Sequence, residues 1–191
     1  MRMIMNQHNA DVCPWRYAYL FDNPFRRLLH DPVKLLSSYV KPGMTVADFG
    51  CGMGFFSIAM AKLVGETGKV YSVDIQTEMH HVLQKRAQKK LPANVAKIIH
   101  PVLATSNDLG LDVKLDFALS FWMVHETPDF REYIRSVAYL LVPGGHYLIA
   151  EPRHHVQLPE WQKTIDSGIG AGLKYLCDVK ARGSYAGVFL K

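Results

Sequence analysis

A chain of 191 residues, 49% of them hydrophobic, matches one domain with a core large enough to fold without covalent staples, and no second domain is expected. Its formal charge of +5 is moderate, and much of it sits in the run Lys85-Arg86 and Lys89-Lys90, which reads as a solvated helix face better than as a nucleic-acid patch. Cys13, Cys51 and Cys177 are odd in number and far apart, with no CxxC pair and no histidine at ligand spacing, which argues against a disulfide framework and against a metal site.

The residues up to about 40 read as an N-terminal segment ahead of the core at 41–191. Met1–Asp11 lacks the apolar stretch of a signal peptide, and the longest apolar runs fall short of the roughly 18 residues that a membrane helix needs. A cytoplasmic protein without a membrane partner is expected. Asp31-Pro32 reads as an N-cap and N1 proline, with Val33, Leu35, Leu36 and Val40 on the apolar side of a short helix that Pro42-Gly43 ends. Met44–Phe49 is strand-like, Phe55–Val64 is a helix closed by Gly65, and Lys69–Asp74 is a strand, which completes a βαβ unit. A helix from about Thr77 to Leu91 follows, with Met79, Val82, Leu83, Ala87 and Leu91 on one face.

Ala96–Val102 and Asp116–Phe121 read as strands. Thr127-Pro128 reads as the cap of a helix with the stripe Phe130, Ile134, Val137, Ala138 and Leu141, stopped by Pro143-Gly144-Gly145. Gly145–Ala150 is a buried strand, Pro159 to about Gly168 a last helix, and Lys174–Val179 and Tyr185–Leu190 two strands. Ala181-Arg182-Gly183-Ser184 is too short for a helical crossover, so the last two strands must pair antiparallel. The expected fold is α/β and doubly wound: a mostly parallel, seven-stranded, Rossmann-like sheet with a C-terminal hairpin. Its ligand crevice should lie beyond the strand tips at Phe49, Asp74, Val102, Phe121 and Ala150.

In Asp48-Phe49-Gly50-Cys51-Gly52-Met53-Gly54-Phe55 a strand ends in three alternate glycines and enters a helix. Glycine tolerates positive φ and close backbone approach, so the loop can wrap a polar group at a helix N-terminus. A tight βα turn alone rarely needs three glycines. The dinucleotide pattern G-x-G-x-x-G would place glycine at Phe55, and an acid two residues ahead of the loop suits a cation where it would repel a pyrophosphate. Both features tilt the choice away from nicotinamide. Asp74 stands about 20 residues past the loop, as a ribose-binding acid requires, although a strand-end Asp also serves as a helix cap.

This stretch resembles the first motif of the class I S-adenosylmethionine-dependent methyltransferases, acid-x-G-x-G-x-G, and the similarity extends from Pro42 to Lys191. The resemblance implies S-adenosyl-L-methionine as cofactor, with Gly50, Cys51, Gly52, Gly54 and Phe55 against its methionine part. It gives Asp48 the ammonium group, Asp74 the ribose hydroxyls and Ile75 the adenine. Thr105-Ser106 stand where the family usually has an Asp-Ala pair for the adenine amino group, so Asn107 or Asp108 are alternatives. Ser120-Phe121-Trp122 should line the crevice.

The sulfonium supplies the reactivity of methyl transfer, so a base is needed only for a hydroxyl or a protonated amine. Candidates at the right end of the sheet are His125 and Glu126 after the fourth strand, and Glu151, His154 and His155 after the fifth. Each also has an ordinary loop reading. The aromatic segment Cys13–His30 is expected to cover the crevice, with Trp15, Tyr17, Tyr19 and Arg26 joining Trp122 in an acceptor pocket; covering another part of the sheet is the alternative. No recognition domain is expected after the hairpin. A small-molecule acceptor leads, ahead of a protein or RNA, a non-catalytic cofactor-binding module and an NAD-dependent oxidoreductase. Asp22-Asn23-Pro24-Phe25 lacks the second proline, and the position after the fourth strand, that mark nucleic-acid amino-methyltransferases. A nucleic-acid partner is therefore not expected, and the sequence leaves the oligomeric state open.

Overall fold

Alternation along the strands decides the layering of the molecule. In the computed structural model, which describes residues 30–191, strands β1 (Thr45–Phe49), β2 (Lys69–Asp74), β3 (Ile99–Leu103), β4 (Leu115–Phe121), β5 (Leu141–Pro152), β6 (Lys174–Asp178) and β7 (Ser184–Leu190) form one sheet in the order β3-β2-β1-β4-β5-β7-β6. The first five are parallel and β7 pairs antiparallel with both β5 and β6, which is the fold class expected from the sequence. One face is covered by α1 (Pro32–Leu36), α2 (Phe55–Val64) and α3 (Thr77–Lys90), and buries Val46, Phe56, Met60, Leu83, Phe117 and Leu148. The other is covered by α5 (Phe130–Leu140) and α6 (Leu158–Gly170), and buries Ala47, Phe49, Ala118, Ile134, Val137 and Trp161. Both faces of the central strands are therefore dry, as a parallel sheet demands.

Local signals set most boundaries. The Asp31 carboxylate accepts from the amides of Val33 and Lys34, both at 3.1 Å, and caps α1. Gly65, at φ +66°, closes α2. The third strand starts later than expected, because Pro92 leads into a short helix, α4 (Ala93–Ala96), so Ala96 is helical and β3 begins at Ile99. The cap of α5 is Asp129, whose carboxylate accepts from the amides of Arg131 and Glu132; the Thr127 hydroxyl instead donates to the carbonyl of Val124 and closes the 3₁₀ turn Val124–Glu126. Leu141 opens β5 and does not belong to the α5 stripe. Pro143-Gly144-Gly145 is a bulge inside that strand, where the register passes from Leu115↔Leu141 to Phe117↔His146. Among the described residues no helix is long and apolar enough to cross a membrane.

Candidate functional site

The sheet order reverses at β1, which pairs with β2 on one side and β4 on the other, so the tips of β1 and β4 flank the crevice of a doubly wound sheet. The glycine loop fills the β1 side. Gly50, Gly52 and Gly54 take φ +67°, +51° and +81°. A Cβ on Gly50 would stand 2.8 Å from Met123 Cγ, and one on Gly54 would stand 2.8 Å from Leu83 Cγ, so those two glycines let β4's loop and α3 close on the turn. Among the described residues a Cβ on Gly52 would meet nothing within 4 Å, so the half-buried middle glycine leaves room beside the loop. Arg86 donates to the carbonyl of Met53 at 3.1 Å. One member of the expected solvated basic run thus fastens the loop.

Two buried carboxylates sit under this turn. Asp48 on β1 accepts from the Ser57 hydroxyl of α2 at 2.5 Å. Asp74, at the tip of β2, accepts from the amide of Gly52 at 2.9 Å and from that of Gln76 at 3.0 Å, one on each oxygen. Burial pushes the Asp74 carboxyl above the usual carboxylate range, and the bonds from Gln76 and Gly52, with nearby His80, pull it partly back. Burial, with Asp74 and Asp48 alongside, pushes the Cys51 thiol well up, so Cys51 packs as a neutral, unreactive group. Ile75 follows Asp74 with 43% of its surface exposed, as Leu103 is exposed at the tip of the neighbouring β3. The Ala104 amide bonds the carbonyl of Asp74 at 3.0 Å, which sets the exposed Thr105, Ser106, Asn107 and Asp108 beside it. The Asp108 carboxylate accepts from the amide of Gly110, and the Thr105 hydroxyl from that of Asn107.

On the β4 side Trp122 has φ +62°, the sole non-glycine residue with positive φ among the described residues. Its amide donates to the carbonyl of Ala150 at 2.7 Å and its indole N–H to the Ser184 hydroxyl at 2.8 Å, a combination that holds a disfavoured conformation in place. Phe121 is buried against Phe56 and Trp122. Ser120 departs from expectation: its side chain is fully buried on the α5 face, where its hydroxyl meets those of Tyr133 and Tyr147 at 2.8 Å each.

Glu151, near the end of β5, is 1% exposed and accepts three bonds: from the amides of Val124 and His125, and from His125 Nδ1 at 2.5 Å. Burial opposes charge on His125, but the hydrogen bond and charge of Glu151, with Glu126 adding to them, outweigh it and raise its pKa. The His125 ring stacks on His155 with centroids 5.6 Å apart, and His154 lies between His155 and Trp122, at 4.5 and 6.1 Å. The expected cover with Trp15, Tyr17, Tyr19 and Arg26 lies outside the described residues; of that segment His30 packs edge-on against Phe121 and Trp122. Among the described residues no three His, Cys, Asp or Glu side chains cluster as metal ligands.

Sheet order, glycine loop and paired acids together define a class. The chain belongs to the class I S-adenosylmethionine-dependent methyltransferase family: the family model described as a methyltransferase domain matches residues 40–177. A solved structure described as a SAM dependent methyltransferase from Aquifex aeolicus superposes with a TM-score of 0.81 at 25% identity, covering 94% of this chain and 99% of that one. A demethylmenaquinone methyltransferase of Bacillus mycoides (strain KBAB4) is 28% identical over 113 residues, 59% of this chain and 46% of the relative. Nodulation protein S of Rhizobium tropici is 25% identical over 150 residues, 78% of this chain and 59% of that protein. The chain thus spans about half the length of the curated relatives it matches.

Sequence reasoning missed Ser57, Arg86 and Met123. Ser57 lies in the expected second helix, but nothing in that pattern marks a hydroxyl that will meet Asp48. Arg86 is 33 positions from the carbonyl it holds, a separation that carries no local signature.

Proposed function

We propose that this chain transfers a methyl group from S-adenosylmethionine to a small-molecule acceptor. The observation that carries the reading is the geometry at Gly52 and Asp74: an open, side-chain-free stretch of loop whose amide is tied to a carboxylate at the next strand tip. An ionised carboxylate has about four lone-pair sites, so Asp74, with one amide on each oxygen, keeps acceptor capacity for two ribose hydroxyls. Ile75 offers its exposed face to the adenine, and the hydroxyl of Thr105 or Ser106 accepts from the adenine amino group. Gly50, Cys51, Gly54 and Phe55 shape the loop on the methionine side, where Asp48 supplies negative charge for the ammonium. Phe121 backs the crevice from β4, and Ser120 acts from beneath, by holding Tyr133 and Tyr147.

Bound there, S-adenosylmethionine supplies a methyl carbon activated by its sulfonium leaving group, and the chain's task is alignment and exclusion of water. A small acceptor is favoured by the relatives named demethylmenaquinone methyltransferase.

Calorimetry tests this. Wild-type protein should bind S-adenosylmethionine and not NAD, and Asp74→Ala, still folded by circular dichroism, should lose about 1.5–3 kcal/mol of cofactor affinity, the scale of hydrogen bonds to a charged group. Binding of NAD without S-adenosylmethionine would refute the reading. An unchanged affinity in the variant would move the ribose role away from Asp74.

A further inference from the structure

Catalysis by alignment alone leaves one arrangement unused. A carboxylate as buried as Glu151 is unfavourable unless its lone pairs are taken, and three donors take them, two of which belong to His125. With Glu151 ionised, His125 Nδ1 carries the proton and Nε2 carries the lone pair. Among the described residues Nε2 has no hydrogen-bond partner, and the side chain is 23% exposed. Met123, two positions earlier, lies against Gly50, so the turn that carries His125 is packed on the glycine loop at the β4 side of the crevice. A base with a fixed tautomer, held by a buried acid and set beside the loop, is what abstraction of a proton requires.

We propose that His125 is the general base of this site and that the acceptor is accordingly an acidic hydroxyl, of phenol or enol type, methylated on oxygen. The proposal rests on the methyltransferase reading above. A thiolate or a carbon that is already nucleophilic would leave the pair idle, and an ammonium acceptor would bring positive charge up to a sulfonium. The rings of Trp122, His154 and His155 border the same turn and suit a flat, conjugated acceptor. Among the described residues His154 has no carboxylate partner, and it serves as wall, not base.

In the step, the O–H bond of the acceptor breaks and its proton passes to His125 Nε2. The oxygen's electron pair forms the bond to the methyl carbon, and the S–CH₃ pair returns to sulfur as the thioether. The imidazolium is stabilised by Glu151 and releases its proton to water through its exposed edge. The groups facing the ring are Glu151 from β5, Glu126 on its own turn and His155 with His154 from the loop after β5; Tyr133 and Tyr147 lie behind Glu151. The base works only when neutral, so turnover falls as pH drops through the His125 pKa, which lies above the ordinary histidine value. Glu151→Gln removes the two largest influences that raise it, the hydrogen bond to a carboxylate and that carboxylate's charge, leaves Glu126 in place, and moves this acid limb to lower pH.

Two measurements test the proposal. Nitrogen NMR of the folded protein, with the signal assigned through His125→Asn, should show neutral His125 protonated on Nδ1 and a pKa that falls in Glu151→Gln; a proton on Nε2 would overturn it. Next, a small-molecule extract is incubated with S-adenosylmethionine carrying ¹³C in the methyl group. The label should appear on a phenol or enol oxygen, and His125→Asn should lower kcat by about 10²–10⁴-fold with cofactor affinity unchanged. Label on sulfur, nitrogen or carbon, or wild-type turnover by His125→Asn, would overturn this proposal and leave the methyltransferase reading standing. No S-adenosylhomocysteine from wild-type protein that binds the cofactor would overturn both.

Discussion

At Gly52 the backbone adopts φ +51° with no atom of the described residues in the way of a Cβ, whereas at Gly54 φ is +81° and Leu83 stands in the way of one. The two glycines should therefore fail differently when replaced. Gly52→Ala incurs about 1–2 kcal/mol for the left-handed conformation and puts a methyl group into the space assigned to the cofactor. Gly54→Ala incurs that strain together with about 1–3 kcal/mol of overpacking against α3. Without ligand, melting temperatures should rank wild type above Gly52→Ala and Gly52→Ala above Gly54→Ala; equal melting of the two variants would show that the Leu83 contact yields freely. In calorimetry Gly52→Ala should lose most of its cofactor binding while remaining folded. The loop and Asp74 were legible in the sequence because glycine spacing and strand-tip acids encode backbone geometry locally. The coupling of His125 to Glu151 was not, since both residues read as loop or strand-end side chains until β4 and β5 are set side by side.

Elements were legible where a cap, a glycine or an apolar period fixes them, as with α2, which begins and ends where its glycines predict. They were misread where two turn signals compete. Thr127 and Asp129 are both good cap residues; the Thr127 hydroxyl is drawn back to Val124, so Asp129 takes the helix. Pro-Gly-Gly reads as a helix stop, but α5 has already ended at Leu140 and the glycines absorb a bulge within β5. Packing between elements is tight at Gly168, where a Cβ would come 2.4 Å from Phe189 Cε1, well inside the ~3.5–4.0 Å of an ordinary carbon contact. Gly168→Ala should push α6 off β7 and destabilise the protein by about 1–3 kcal/mol in urea unfolding. Cofactor affinity should be unchanged, because neither Gly168 nor Phe189 belongs to the crevice. A loss of affinity in that variant would mean that the α6 layer helps to set the tip of β5.

For the molecule as a whole, crossover lengths made the doubly wound sheet and its terminal hairpin readable, and the site is proposed at the end of the sheet where its parallel strands finish. The roles proposed for the cofactor are spread over that end: the loop after β1, Asp74 and Ile75 at β2, Thr105 and Ser106 past β3, and Phe121 at β4. These groups come together only when the sheet is paired, since Asp74 reaches Gly52 across 22 positions of chain. An unfolded chain offers no such site, so ligand binding must add to folding stability. A ligand at one hundred times its dissociation constant adds about 2.7 kcal/mol. For a domain of this size each kcal/mol raises the melting temperature by about 2–4 °C, so saturating S-adenosylhomocysteine should raise it by roughly 5–10 °C. NAD at the same concentration should leave it unmoved. Asp74→Ala should need a higher ligand concentration for the same shift, and Gly168→Ala should start lower yet shift by the wild-type amount at equal concentration. Scanning fluorimetry of the three proteins checks this, and a shift with NAD matching that with S-adenosylhomocysteine would contradict the assignment of the crevice.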